Sequence, residues 1–308
     1  MRSAIFLTTV IFSFLSNRGY TQGCSDAGFC TIGNLGQQSD ASAAKQKISI
    51  LLPFGLGDED VLVFNPAIQY DNQLSKTWAV QAKITASYAN GNLGNAGGPG
   101  DIFLSGTYFF PSQKNRWQVS ATVGTKLPLN ESHLKEKGLS LPMQYQSSLG
   151  TFDLVTGIAF TNKKWQLAAG WQQPLSGTNG NQFLPVYWAG NSDASRYIPS
   201  NDFKRKAELL FRSLYKYKPN QRFSFNGGLL GIFHLGKDTY IDANLSNKPI
   251  AISGSEGLTL NATLAGWYNI SKKLQLGLQA GVPIVVRDKR PDGLTRSFVV
   301  SPEVSWNF

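Results

Sequence analysis

From residue 46 to 308, apolar and polar positions alternate with a period of two, the signature of strands that present one face to each of two environments. Trp165, Leu167, Ala169 and Trp171 share one face, and Gln166, Ala168 and Gly170 the other. Trp117, Val119, Ala121, Val123 and Leu127 stand opposite Gln118, Ser120, Thr122, Gly124 and Lys126. Leu274, Leu276, Leu278, Ala280 and Val282 alternate with Gln275, Gly277, Gln279 and Gly281, so one face is greasy and the other small or polar. The same alternation predicts strands over 46–56, 61–70, 77–88, 100–110, 116–127, 150–161, 164–174, 203–218, 221–235, 256–270, 273–286 and 296–308. Helix signals are missing.

The predicted connections alternate in length. Short ones span 71–76, 111–115, 162–163, 219–220 and 271–272, and between them lie 89–99, 128–149, 175–202 and 236–255. Tight turns at one end and long loops at the other, on an even number of strands, are the asymmetry of an outer-membrane barrel. A soluble sandwich has no reason to collect its long loops at one end. The expected fold is therefore an all-β, transmembrane, antiparallel up-and-down β-barrel of about 12 strands, with 10 to 14 spanning the range if one long loop is misread.

Aromatic residues agree with that orientation. Trp78, Trp117, Trp165 and Phe223 open strands just after a short turn, and Phe110, Phe160, Tyr217 and Tyr268 close strands just before one. An up-and-down trace sets all eight on one rim with Trp306 and Phe308, as a girdle at a membrane interface. The chain ends on SPEVSWNF, where Pro302, Val304, Trp306 and Phe308 alternate with Glu303, Ser305 and Asn307. This resembles the terminal strand of bacterial outer-membrane proteins, whose final Phe is read by the barrel-assembly machinery, and so makes that machinery and outer-membrane lipid the expected partners.

Composition narrows the alternatives. Of 308 residues, 42% are hydrophobic and 16% charged, against about 25% charged in a typical soluble domain. Nineteen Phe, 11 Tyr and 7 Trp exclude a disordered chain. Two Cys and 2 His leave little material for a zinc site or a histidine centre, and no cofactor or metal pattern is expected. Beyond the first 16 positions no apolar run reaches the roughly 20 residues of a spanning helix. The formal charge is +10, but the basic residues are scattered singly, which gives no footprint for nucleic acid.

At the N-terminus, Arg2, an apolar run over 4–15 and a polar exit ending at Gly23 read as a secretory signal over 1–22. Residues 23–45 are expected to be a periplasmic or plug segment carrying Cys24 and Cys30. An oxidising compartment favours a disulfide between them. Lipidation of Cys24, which follows Gly23, and two free thiols are the alternatives, although Thr21 stands where a lipoprotein signal usually has Leu.

Charges on strands should point inward, because one on the lipid face costs a few kcal/mol. By parity the inward set is Lys83, Asp101, Lys126, Asp153, Lys206, Glu208, Arg212, Lys216 and Glu303. Arg212 is positioned to pair with Asp153 or Glu303, and such pairs either line a selective path or simply fill a narrow interior. Phe183, Tyr187, Trp188 and Tyr197 in the longest loop are candidates to line an apolar pocket, or ordinary loop packing. The Gly-rich run 94–100 reads as an external loop and not a phosphate cradle. Enzyme activity is not expected: Ser224 and His234 share a strand face but stand ten residues, about 33 Å, apart, and no G-x-S-x-G elbow occurs.

Several segments resemble the outer-membrane family named for the meta-pathway of phenol degradation, a relative of the long-chain fatty-acid transporter barrels. They are PGDIFL at 99–104, GTY at 106–108, VGTKLP at 123–128, LQLG at 274–277, GVP at 281–283 and the terminal strand. The resemblance runs from about residue 60 to the end and implies passage of small, often hydrophobic molecules across the outer membrane of a Gram-negative bacterium. The CSDAGFC segment lies outside it. The alternative expectation is a non-conducting barrel that anchors or docks a partner complex, distinguished by a filled rather than an open lumen.

Overall fold

A computed structural model describes residues 32–36, 45–112, 117–242, 245, 247–293 and 296–308. The expected leader over 1–22 and the expected Cys24–Cys30 pairing fall outside the described residues. Twelve antiparallel strands form one closed barrel, in which every pairing but the closing one joins strands that are neighbours in sequence. They are β1 (Gln46–Leu51, resuming at Phe54–Gly57), β2 (Leu62–Phe64, resuming at Ala67–Gln73), β3 (Trp78–Gly91), β4 (Gly94–Phe109), β5 (Gln118–Pro128) and β6 (Asp153–Thr161). The second half holds β7 (Trp165–Pro174), β8 (Glu208–Tyr217), β9 (Phe223–His234), β10 (Gly257–Asn269), β11 (Leu274–Val285) and β12 (Arg296–Asn307).

Closure is made by β1 on β12, with Ile48 opposite Trp306 and Ser49 opposite Ser305. The breaks in β1 and β2 fall at Leu52-Pro53 and Asn65-Pro66, where proline has no N–H to give the ladder. Backbone bonds bridge the breaks, from the Leu52 N–H to the Pro302 carbonyl and from the Asn65 N–H to that of Pro53, both 2.9 Å. One connection departs from expectation. Residues 89–99 are not a loop, and the glycine run 94–100 is not either, because β3 and β4 continue as a ladder to Gly91 opposite Gly94 and turn through Asn92 and Leu93 alone. Glycine has little strand propensity of its own, and Gly94, at φ +119, adopts the backbone this tight turn needs.

Outward-facing Ile68, Ile84, Leu104, Val123, Ile158, Leu167, Phe211, Leu229 and Leu264 are exposed around the whole circumference. An apolar surface of that extent is unfavourable in water and favourable in hydrocarbon. At the short-turn end Trp78, Phe110, Trp117, Phe160, Trp165, Tyr217, Phe223, Trp306 and Phe308 are exposed beneath this belt, with Tyr268 half-buried. Rings meet across strands there: Trp78 and Tyr108 at 5.1 Å, Trp165 and Tyr215 at 5.1 Å, Phe223 and Tyr268 at 4.8 Å.

At the opposite end, loops 129–152, 175–207 and 235–256 fold over the mouth. Leu141, Tyr145, Phe183, Trp188 and Tyr197 bury themselves against Val61, Val63, Ala89 and Leu93 of the strand rims. Met143, Leu149, Phe203 and Ile252 form a second small core.

Strand contact sets a sharp constraint at Gly228, where a Cβ would lie 1.9 Å from the Ser213 carbonyl oxygen, whereas at Gly106 it would meet nothing within 4 Å. Gly228→Ala is expected to force β8 from β9 and cost about 1–3 kcal/mol. Gly106→Ala is expected to be neutral. The check is the temperature at which the folded band on a gel gives way to the unfolded one; equal behaviour of the two variants would contradict the register.

Candidate functional site

The interior is built from two layers, an apolar one within the barrel and an ionic one at its mouth. Residues 32–36 lie inside the barrel as a single 3-10 turn, Gly33–Leu35. Ile32 and Leu35 are fully buried there against Phe103 of β4, Val155 and Ala159 of β6, Ala168 of β7, Leu210 of β8 and Leu230 and Ile232 of β9. Small residues make the room. A Cβ at Gly124 would lie 2.8 Å from Ile32, and one at Gly157 2.9 Å from Leu35. Gly33 has φ +50, and a Cβ on it would sit 2.7 Å from Thr107 Oγ1. Its N–H donates to Gln81 Oε1 at 2.8 Å, and Gln166 Nε2 donates to the Gly36 carbonyl at 3.2 Å. Alternation alone predicts an inner face that is small or polar. β8 and β9 instead carry apolar residues on both faces, Leu210 and Leu214 inward with Leu209 and Phe211 outward.

Of the residues assigned inward by parity, Lys83, Asp101, Lys126, Asp153, Glu208, Arg212 and Glu303 are buried on the inner strand faces. Lys216, opposite buried Asn226, is half-buried near the short-turn end. Lys206 does not follow the parity of β8 and does not take the inward place that alternation predicts for it. β8 begins at Glu208, so parity does not carry through 203–207; Arg205 is buried in the interior, and Lys206 is half-buried with its backbone N–H donating to Asp238 Oδ1 at 2.9 Å.

The ionic layer gathers Lys126, Asp153, Arg205, Glu208, His234, Asp238, Arg287 and Asp292, all buried. Arg205 Nη2 lies 2.6 Å from Glu208 Oε1 and its Nη1 3.7 Å from Asp153 Oδ2. Lys126 Nζ is 3.4 Å from Asp153 Oδ2, and Gln172 Nε2 donates to that oxygen at 2.5 Å. Arg287 holds Asp292 at 2.8 Å, approaches Asp238 at 4.0 Å and donates to the Ser255 carbonyl at 2.6 Å. His234 Nε2 touches Glu208 Oε1 and is 3.8 Å from Asp292 Oδ2. Strand ends supply Lys126, Asp153, Glu208 and His234; the loops supply Arg205, Asp238, Arg287 and Asp292. The cluster therefore ties three loops to the barrel rim.

Glu208, His234 and Asp292 offer three ligand atoms within 4.8 Å of one another. Two of the three are already held by guanidinium groups, Glu208 by Arg205 and Asp292 by Arg287. Cations packed against both carboxylates repel a metal ion, so this donor set suits an ion-pair lattice. Ser224 is buried at the other end of β9 from His234, which leaves the two well apart.

A smaller polar cluster lies nearer the short turns. Lys47 is 3.6 Å from Asp71 and 4.0 Å from Glu303, while Gln81 donates to Asp71 at 2.6 Å. Glu303 also accepts from Ser305 Oγ at 2.7 Å, Gln279 Nε2 at 3.2 Å and Trp267 Nε1 at 3.3 Å. Lys83 Nζ sits 5.7 Å from the Phe103 ring centroid, and Ser148 Oγ of the mouth loop donates to Asp101 at 2.5 Å.

Phe183, Trp188 and Tyr197 are buried in the loop core and Tyr187 is exposed. Tyr145 and Tyr197 join hydroxyls at 3.2 Å, and Trp188 Nε1 donates to the Ser140 carbonyl at 2.9 Å. These aromatics pack loops together. The loops also clasp the rim through Arg290 to Asp58 at 3.0 Å and Arg196 to Glu59 at 2.5 Å.

Burial pushes the Asp238 carboxyl up to about 6 against the opposing pull of His234 and Arg287, and burial likewise raises Asp58 to about 6 despite Arg290. A raised acid binds its proton more tightly in the folded state, so its contribution is complete below the ordinary carboxylate range and is lost as pH rises through 6. For Asp238 the loss is on the order of 3 kcal/mol. Hydrogen-exchange protection of the 235–256 loop, corrected for intrinsic rates, is expected to fall between pH 4 and 7. Asp238→Asn should flatten that fall; an unchanged slope would show that Asp238 does not govern the loop.

No family model matches the chain, and no curated protein does. Among solved structures it is similar to an outer membrane channel from Pseudomonas putida F1, with a TM-score of 0.61 and 13% identity over 88% of this chain and 99% of that one. The NanC porin gives a TM-score of 0.47 with 11% identity over 85% and 98% of the two chains. The KdgM porin gives 0.46 with 4% identity over 85% and 99%. At 13% identity the likeness to the channel is one of fold: the chain has the closed antiparallel barrel of an outer-membrane protein.

Proposed function

We propose that this chain spans the outer membrane, with its short turns in the periplasm, and passes small, apolar or partly apolar molecules through a lumen that is closed at rest. The observation that carries this reading is the apolar wall of Phe103, Val155, Leu210, Leu230 and Ile232, covered by a segment that belongs to no strand of the barrel. A barrel that is only a scaffold has no need of an apolar inner wall with a removable occupant. The fold likeness to an outer membrane channel, and the phenol-degradation-type motifs in the sequence, support the same reading.

Magnitudes support a removable occupant. Burying Ile32 and Leu35 contributes about 1.5–3 kcal/mol each, and the two hydrogen bonds to Gly33 and Gly36 about 1 kcal/mol each. Ordering five residues costs about 5–10 kcal/mol of backbone entropy. The seat of residues 32–36 is near balance, so a small apolar solute competes with it on even terms. The ionic mouth adds little to this barrier, because opening it returns its charges to water and the attraction within a buried ion pair is largely offset by the cost of desolvating it.

A filled lumen also favours the second reading, a non-conducting barrel that docks a partner. Single-channel recording separates the two. Intact protein in planar bilayers is expected to be closed or to flicker, and a variant lacking residues 24–45 to conduct steadily. Leu35→Asp should raise the open fraction in the same direction. Silence from all three, in protein shown to be folded, would overturn passage through the lumen and leave the docking barrel.

A further inference from the structure

Cations occur at both ends of the barrel, but only at the short-turn end do the connections carry no acids beside them. Lys45, Lys76, Lys163, Lys164, Lys218, Arg222, Lys272 and Lys273 all lie at the short-turn rim, and all are exposed. None of the 19 acidic residues falls in the short connections 74–77, 110–117, 162–164, 218–222 or 270–273, and 110–117 adds Lys114 and Arg116 in sequence. Among the described residues no ion pair joins any of the eight to an acidic side chain. The opposite end is mixed in sign, with Asp58 against Arg290, Glu59 against Arg196 and Lys237 against Glu256.

Position identifies what the uncompensated cations face. Lys164 immediately precedes Trp165, Lys218 follows Tyr217, Arg222 precedes Phe223, and Lys76 stands two residues before Trp78. Each of those aromatics is an exposed ring of the girdle. Aromatic rings of this kind sit at headgroup depth, and lysine and arginine reach from such positions into the headgroup layer while keeping their stems on apolar surface. A ring of fixed positive charge at that depth, with no acidic side chain paired to it among the described residues, attracts anionic headgroups.

We propose that the short-turn rim is a binding surface for anionic phospholipids, whose phosphates and negatively charged headgroups neutralise the turn cations. This rests on the reading that the barrel spans a bilayer, but not on what passes through it. An acidic soluble protein is the competing partner, and continuity with the girdle favours lipid, because cation and ring alternate along the same rim.

The test reads quenching of girdle tryptophan fluorescence in the refolded full chain by brominated phosphatidylglycerol against brominated phosphatidylcholine. The native protein is expected to prefer the anionic lipid by about fivefold at low salt, and the preference should fall towards one in molar salt. Substituting Gln at Lys163, Lys164, Lys272 and Lys273 should abolish it while leaving the heat-modifiable folded band intact. If that variant does not fold, the salt dependence of the native protein decides alone. Equal quenching by both lipids in native protein, or an undiminished preference in the folded variant, overturns the proposal and leaves the rim to an acidic partner. Failure of the native chain to insert into vesicles overturns the membrane reading itself and this proposal with it.

Discussion

Everything in this structure depends on the requirement that a sheet surrounded by hydrocarbon leave no backbone N–H or C=O unpaired. A lone unsatisfied group in that setting costs several kcal/mol, so the first strand has to find the last. β1 does so against β12, from Lys47 opposite Asn307 to Leu51 opposite Glu303. Where proline interrupts the ladder at positions 53 and 66, neighbouring carbonyls accept the N–H groups that would otherwise be stranded. Closure fixes register, and register fixes which side chains face in, because a slip of one residue exchanges the faces of an entire strand.

Closure with twelve strands also encloses a volume that has to be filled. Two solutions appear at different depths. Low in the barrel, Ile32 and Leu35 occupy an apolar patch left open by Gly124 and Gly157. At the mouth, charged residues from four barrel strands and three loops neutralise one another out of contact with water. A buried ionic lattice of this kind adds little net stability compared with apolar packing. Its value lies in positioning, since each carboxylate must meet its guanidinium and the loops therefore have one way to close.

The barrel was legible in the sequence because lipid outside and polar groups inside impose a period of two on every strand. The exposed aromatics of the short-turn end follow from where the turns fall: Trp165 and Phe223 stand where a strand leaves a turn. Four features were not legible, or only in part. Residues 89–99 lack the alternation of a strand because glycines carry no side chain to show it. Arg205 was missed in favour of Lys206 because parity has no meaning across 203–207, where the chain is not yet a strand. The ionic mouth was half visible: Lys126, Asp153 and Glu208 follow from alternation, but Arg205, Asp238, Arg287 and Asp292 arrive from loops, whose positions depend on tertiary packing with no periodic signal. The apolar inner wall was hidden by β8 and β9, where greasy residues on both faces erase the contrast between them.

The charge distribution shows how a fold turns a weak sequence signal into a strong physical one. Lysines scattered in ones and twos read as a generic basic surface until the up-and-down topology returns every second connection to the same rim. Among the described residues, four short turns each contribute one or two cations to that rim, while the acids lie in the loops and the interior. The acids within the barrel have cations close by, as Asp153 has Lys126 and Arg205, and Glu303 has Lys47. The excess positive charge is consequently left at the short-turn rim, where among the described residues no acidic side chain pairs with it.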